Sequence, residues 1–460
     1  MIRAALLFLA VIGIACASGS HTTVAAADDD LQTQSPTVTV QSFTAVEGAD
    51  LMARLDAAQA RARSRQTPYW SAYTFDVRPG IAVDPAIRDF NGSINTMGDT
   101  TVFIGTTPAG VTVETRNLAI FLLRDPSSNQ ITRMEVYNLE RKREYSGYPV
   151  YWLGRANNEE TLNYLRAIVA ASPLDMLGER AVLGIALLDD SRVGGMLKNF
   201  ISTSPNQRIR SSSVYWLGQV GGEQTFLASL VRNETEDTKL RRSAAHAIGQ
   251  SRERGAIATL QDLYGTVKDV DVRRGVISAA GNSIEEQPAF TFLLGVAKKD
   301  TDWESRATAV RQLGHFQRED AVDELMKIYT NDANVEVKRA ALRALGETKS
   351  ARGEDKLFEV ARGDESMDLR RQAIRMLGER VGKRSFEFLS ATAQSTDANA
   401  EVQVQAVRAI GERHTEESVP LLIKIAKTHP NQLVRKQAIR SLGESGDPRA
   451  VEFFKEVLMK

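Results

Sequence analysis

Three stretches of this chain say nearly the same thing: EVKRAALRALGETKSAR from Glu336 to Arg352, DLRRQAIRMLGERVGKR from Asp368 to Arg384, and VRKQAIRSLGESGDPRA from Val434 to Ala450. A glycine after an apolar or small residue sets the register. Gly154, Gly218, Gly249, Gly281, Gly314, Gly346, Gly378, Gly411 and Gly443 follow one another at intervals of 31 to 33 residues, except for a first interval of 64. Midway through that long interval RAVLGIALLDDSRVGGMLKNF keeps the register, with Ile185-Ala186 in place of Leu-Gly. The pentapeptide VYWLG also recurs unchanged at Val150 and Val214, two periods apart. The spacing therefore predicts ten units running to the last residue, and a repeat of this length is one that stacks.

Each unit carries a physical reason for its pattern. Twelve residues before the marker glycine stand Asn206, Asp237, Asp269, Asp302, Asn334, Ser366, Asn399 and Asn431, side chains that accept a free backbone N–H where a helix begins. Nine, five, four and one residues before the marker the positions are apolar or small, as in Val337, Ala341, Leu342 and Leu345, which together make one face of a first helix. The glycine is expected to end that helix by entering the left-handed region. A second apolar series, such as Ala450, Val451, Phe454, Val457 and Leu458, marks a second helix. One short helix pair cannot enclose a core, whereas stacked pairs cover each other's apolar faces. Ten pairs at roughly 10 Å per layer predict a stack about 100 Å long.

VRKQAIRSLGESGDPRAVEFF resembles the HEAT repeats of the phycobilisome-lyase-like type, and the resemblance covers residues 145–460. It implies a mainly α fold, an α-solenoid of about ten helix pairs. Relatives of this repeat type include hydroxylases that hold iron through His-Glu pairs and proteins that handle bilins. Here His21, His246, His315, His414 and His429 are followed by Thr, Ala, Phe, Thr and Pro, and the single cysteine is Cys16. Neither a metal site nor a bilin attachment carries over, so no cofactor is expected.

Before the solenoid the chain reads differently. MIRAALLFLAVIGIACASGS places one arginine before an apolar run and then small residues, the layout of a secretory signal peptide over residues 1–27. Small residues allow cleavage after Ala17 or after Ala27. GIAC also resembles a lipobox, although Gly13 stands where a leucine is usual, and acylation of Cys16 is the one route to a membrane anchor. The run is shorter than the about 20 residues a bilayer span needs. Residues 28–66 read as a flexible linker ending in a short helix from Asp50 to Arg65. Residues 67–144 read as a small antiparallel β module, with strands at YWSAYTFDV, TTVFIG, GVTVET, LAIFLL and ITRMEVYNL and a hairpin turn at RDPSSNQ.

Charge narrows the partners. Basic and acidic residues cancel at 58 each, which removes the overall positive field of a non-specific nucleic-acid binder, so none is expected. Eight residues before the marker stand Arg210, Arg241, Arg273, Arg306, Lys338, Arg370 and Arg435, with Gly178 and Gln403 interrupting. A cation four residues past each cap is read as a structural ladder. The candidate partner-binding residues are Phe388, Leu421 and Phe453, ten residues after the marker in three successive units, expected as an apolar strip on the concave side, with core packing between repeats as the alternative for apolar residues at helical spacing.

The expectation is an exported, bacterial-type, non-enzymatic scaffold for protein partners, periplasmic, in the cell envelope or secreted. The alternative is an enzyme or ligand-binding protein whose site lies in the β module or at its junction with the solenoid, where Tyr145, Tyr148, Tyr151 and Trp152 cluster. Mass spectrometry of mature protein from its native host should show a new N-terminus at Ser18 or Asp28, or a lipid on Cys16; an intact Met1 would remove the export reading.

Overall fold

A computed structural model describes residues 43–85, 91–107, 110–171, 176–380, 382–395, 399–413 and 416–459. The expected signal peptide with Cys16, and the linker before residue 43, lie outside the described residues. The chain divides after Ser213 into two compact units. No helix among the described residues is long and apolar enough to cross a membrane.

The first unit contains β1 (Thr44–Ala45), α1 (Leu51–Arg63), β2 (Tyr69–Thr74), β3 (Ala82–Val83), β4 (Asn91–Met97), β5 (Thr100–Thr106), β6 (Leu118–Arg124), β7 (Ile131–Asn138), β8 (Val150–Arg155), α2 (Asn158–Ala171), α3 (Met176–Ala186) and α4 (Val193–Thr203). One sheet has the order β1-β8-β2-β6-β7 and a second the order β3-β5-β4. β6 and β7 form the expected hairpin, from Leu118 opposite Asn138 outward. Its turn is organised by Asp125, whose carboxylate accepts hydrogen bonds from Ser127 and Ser128 that hold its pKa down to about 2.

Two features correct the expected antiparallel module. β1 comes from the stretch read as linker, and β1–β8 and β8–β2 pair in parallel, so the larger sheet is mixed. α1 covers this assembly with Leu51, Leu55, Ala58 and Ala62 buried, and Arg54 ties it to the Leu153 and Arg155 carbonyls and to Glu160.

The second correction concerns VYWLG. Its copy at Val150–Gly154 lies in β8, whereas the copy at Val214–Gly218 lies in helix α5 (Gln207–Val220). Pro149, with no N–H to donate, precedes the strand copy, and its carbonyl accepts from Trp70 of β2. Upstream of the helical copy, Asn206 caps the helix by accepting from the Arg208 amide at 2.9 Å. Local sequence is identical, so the flanks and the available sheet partner decide the outcome. The expected first unit is thus a strand followed by α2, and ten helix pairs become nine among the described residues: α3 with α4, then α5 onward in alternation.

The array continues as α6 (Gln224–Arg232), α7 (Thr238–Gln250), α8 (Ala256–Thr266), α9 (Val270–Ala280), α10 (Glu286–Lys299), α11 (Trp303–Leu313), α12 (Glu319–Asn331), α13 (Val335–Glu347), α14 (Ala351–Gly363), α15 (Met367–Glu379), α16 (Lys383–Gln394), α17 (Ala400–Glu412), α18 (Ser418–Thr428), α19 (Gln432–Glu444) and α20 (Pro448–Leu458). Like α5, the odd-numbered members from α7 are first helices. Asp237, Asp269, Asp302, Asn334, Ser366, Asn399 and Asn431 each accept backbone N–H groups at the start of one, a contribution of about 1 kcal/mol per cap. The cation column works as a ladder joining each first helix to the end of the preceding second helix. Arg241 donates to the Val231 carbonyl at 2.9 Å, Arg306 to Asp300 at 3.0 Å, Arg370 to Arg362 at 3.2 Å and Arg435 to His429 at 2.7 Å. Gln403, the interruption, donates in the same way to Ser395.

The marker glycines have a different job from the one expected. None of those in the first helices of this array has a positive φ; Gly218, Gly249, Gly346, Gly378, Gly411 and Gly443 lie inside their helices. What they provide is room. A Cβ on Gly218 would stand 2.6 Å from the Ala247 carbonyl oxygen, one on Gly314 2.8 Å from the Ala344 Cα, and one on Gly378 2.7 Å from the Ala409 Cβ. Each of these glycines therefore receives the residue two places before the next glycine, and at Gly218, Gly249 and Gly314 the contact reaches the backbone of the next first helix. Gly443, in α19, meets nothing within 4 Å.

This difference sets a paired test. Gly314→Ala should lower stability by about 1 to 3 kcal/mol through overpacking against rigid backbone, while Gly443→Ala should raise it by up to about 1 kcal/mol through helix propensity. Urea denaturation of the two variants under one condition checks the opposite signs.

Candidate functional site

In the second unit the first helices pack against one another extensively and the second helices only sparsely. On the first helices, positions ten, seven and three before each glycine fall on one face by the helical period, and from α9 to α19 these residues are exposed or half-buried except Ala307 of α11, which is buried.

Carboxylates hold the first of these positions as Asp271, Glu304, Glu336, Asp368 and Glu401. Arginines hold the second as Arg274, Arg339 and Arg371, and they bridge within and between repeats. Arg339 reaches Glu336 at 2.7 Å and Asp368 of the next first helix at 3.8 Å; Arg371 reaches Asp368 and, at 2.6 Å, Glu401. The third position is Arg311, Arg343, Arg375, Arg408 and Arg440 in five successive units. The last three pair with Glu379, Glu412 and Glu444 at 2.8, 3.2 and 3.0 Å. Arg311 donates to the Thr308 hydroxyl, and burial together with the charge of Arg343 pushes its pKa down. Exposed pairs of this kind contribute about 0 to 1 kcal/mol each, so the pattern defines a surface more than it stabilises a fold.

Apolar residues edge the same layer. Val270, Trp303 and Val335, the first residues of α9, α11 and α13, are exposed, as is Leu433 near the start of α19. Between α17 and α19 the surface opens into a groove of about 460 Å³ lined by Arg371, Ala400, Glu401, Val404, Gln405, Leu433, Lys436, Gln437 and Arg440. The arginine column was visible in the sequence by the same register that revealed the caps.

The residues expected to bind a partner lie in the second-helix layer. Phe388 in α16, Leu421 in α18 and Phe453 in α20 belong to the second helices; the first two are half-buried and Phe453 is buried. The Phe388 ring meets buried Phe358 edge-on at 5.2 Å, and Lys427 stands over Phe453 at 5.7 Å. The groove is in the other layer. In the first unit, Tyr145, Tyr151 and Trp152 are buried; Tyr145 and Trp152 belong to an aromatic core with Phe43, Trp70, Phe121 and Tyr137, against which half-buried Tyr148 packs. Among the described residues no group of three or more His, Cys, Asp and Glu is placed to hold a metal ion. Cys16, His21 and His414 lie outside the described residues.

The HEAT repeats match this chain at residues 224–314, 290–378, 322–398 and 387–460, together more than half of it. No curated protein matches. Among solved structures, human deoxyhypusine hydroxylase in complex with glycerol is similar to it at 15% identity over 62% of this chain and 96% of that one, with a TM-score of 0.25. The complex of CpcE and CpcF of phycocyanin lyase from Nostoc is similar at 19% identity over 55% of this chain and 93% of that one, with a TM-score of 0.29. Importin beta is similar at 14% identity over 64% of this chain and 48% of that one, with a TM-score of 0.35.

The packing of the second-helix aromatics has a measurable result. Phe388→Asp together with Leu421→Asp should place carboxylates against apolar neighbours and cost helix signal in circular dichroism, with a lower melting temperature. Retention of full helix content would restore these residues to a free surface.

Proposed function

The chain belongs to the HEAT-repeat family, and on that premise we propose that it acts as an exported, non-enzymatic scaffold that holds protein partners on the first-helix face of its repeats. The observation that carries this reading is the face itself. Glycine contacts keep the first helices in register from α7 to α19, so the same three positions recur along one face from unit to unit, with buried Ala307 of α11 the interruption. Stacked repeats of this type produce extended surface in place of a single enclosed pocket, and extended surface suits macromolecular ligands. The arginine start, apolar run and small residues of the N-terminal sequence support export to the periplasm or cell envelope.

Photo-crosslinking residues test which layer is used. Placed at Arg343 and Arg375 on first helices, they should capture one and the same protein in the native cell envelope, identified by mass spectrometry. Placed at Asp355 and Glu359 on second helix α14, they should not. Capture from the second-helix positions alone would overturn the reading.

A further inference from the structure

The ion ladder on the first-helix face, interrupted at α11 by buried Ala307, is complete through α13 and α15 and ends at α17. From α13 to α15 each arginine seven residues before the glycine is bonded to the carboxylate of its own helix and to that of the next. At α17 that arginine is replaced by half-buried Val404, and at α19 the carboxylate is replaced by Leu433, which is 59% exposed. Two consecutive apolar replacements remove one cation and one anion from the ladder. Lys436 is left beside them with no carboxylate within 4.0 Å among the described residues, whereas Arg371 and Arg440 on the same groove are already paired.

We propose that this groove binds a short extended segment of a protein partner in which a carboxylate side chain stands next to a leucine-sized aliphatic one. The proposal rests on the scaffold reading and names the partner's chemistry at one place. The partner's carboxylate restores the missing rung by pairing with Lys436, and its aliphatic neighbour covers Val404 and Leu433, removing exposed apolar surface from water. A volume of about 460 Å³ holds a few side chains. Gln405 and Gln437 flank the groove and carry amides that both donate and accept. Such groups satisfy the main chain of an extended segment, whose N–H and C=O are free, and find none to satisfy on a helix, whose backbone is already bonded internally.

The probe is a fluorescein-labelled peptide of sequence GSELEGS titrated into the full chain and followed by anisotropy. Binding should saturate. Lys436→Glu and Leu433→Ser should each weaken it by at least about tenfold, and so should lysine for glutamate or serine for leucine in the peptide. Lys383→Glu, the same charge change on an exposed second-helix residue, should leave it unchanged. Because Lys436 and Leu433 are exposed, circular dichroism of both variants should match the parent, and Lys436→Glu decides alone if Leu433→Ser does not. Unchanged affinity in Lys436→Glu, equal binding of the lysine peptide, or tighter binding of a single-stranded DNA oligonucleotide would each overturn the proposal. Loss of the proposal with crosslinks at Arg343 and Arg375 intact leaves the scaffold standing; loss of those crosslinks removes the scaffold whatever the peptide does.

Discussion

At Gly218, Gly314, Gly378 and Gly411 a first helix lies so close to its successor that one methyl group would collide with Ala247, Ala344, Ala409 or Ser441, and the organisation of the array follows from that spacing. Helices at such a distance meet through backbone atoms or the Cβ fixed to them, which cannot move aside as the end of a long side chain can, so their relative rotation is set within narrow limits. With rotation set, the outward positions of successive helices fall into rows. The rows bring Arg339 within reach of Asp368 and Arg371 within reach of Glu401, one repeat further on. The ion ladder is thus a product of the glycines, not a cause of the stacking.

Features that depend on a few neighbouring residues were legible in the sequence. A capping Asp or Asn acts on amides two or three residues away, and an apolar period of 3.6 is a property of one helix, so helix pairs and caps could be placed from spacing alone. The purpose of the glycines could not. A glycine near a helix end suits a left-handed cap as well as a close contact, and only the small residues two places before the following glycine, Ala247, Ala279, Ala344 and Ala409, hint at the second. The apolar column of Phe388, Leu421 and Phe453 was visible for the same reason that its surroundings were not: period reports a face of a helix, not what lies against it. The groove at Lys436 has no local signal, because Leu433 and Val404 are ordinary helix residues that differ only from the charged residues holding their positions in α13 and α15.

The first unit was less legible because its sheet depends on distant partners. Hairpin β6–β7 announces itself through a turn, Asp125 to Asn129, that lies between its strands. Parallel pairing has no such signal, since β1, β8 and β2 come from separate parts of the chain. Polar groups in this unit follow the same logic. Glu135, nearly inaccessible in β7, is bonded to Arg133, Arg180 and Thr100, two of which lie outside its own strand.

The two fates of VYWLG bear on the order in which the molecule assembles. Its helical copy needs only Asn206 and the following turns, contacts that close within a few residues. Its strand copy must receive Thr44 and Ala45 from more than a hundred residues upstream and align with Trp70 and Ser71 from nearly as far. Loop closure of that length must come before any sheet contact rewards it, and non-local pairing slows folding. Repeats past Val214 can grow by adding one neighbour at a time, so the N-terminal unit, although synthesised first, is the part whose completion sets the pace.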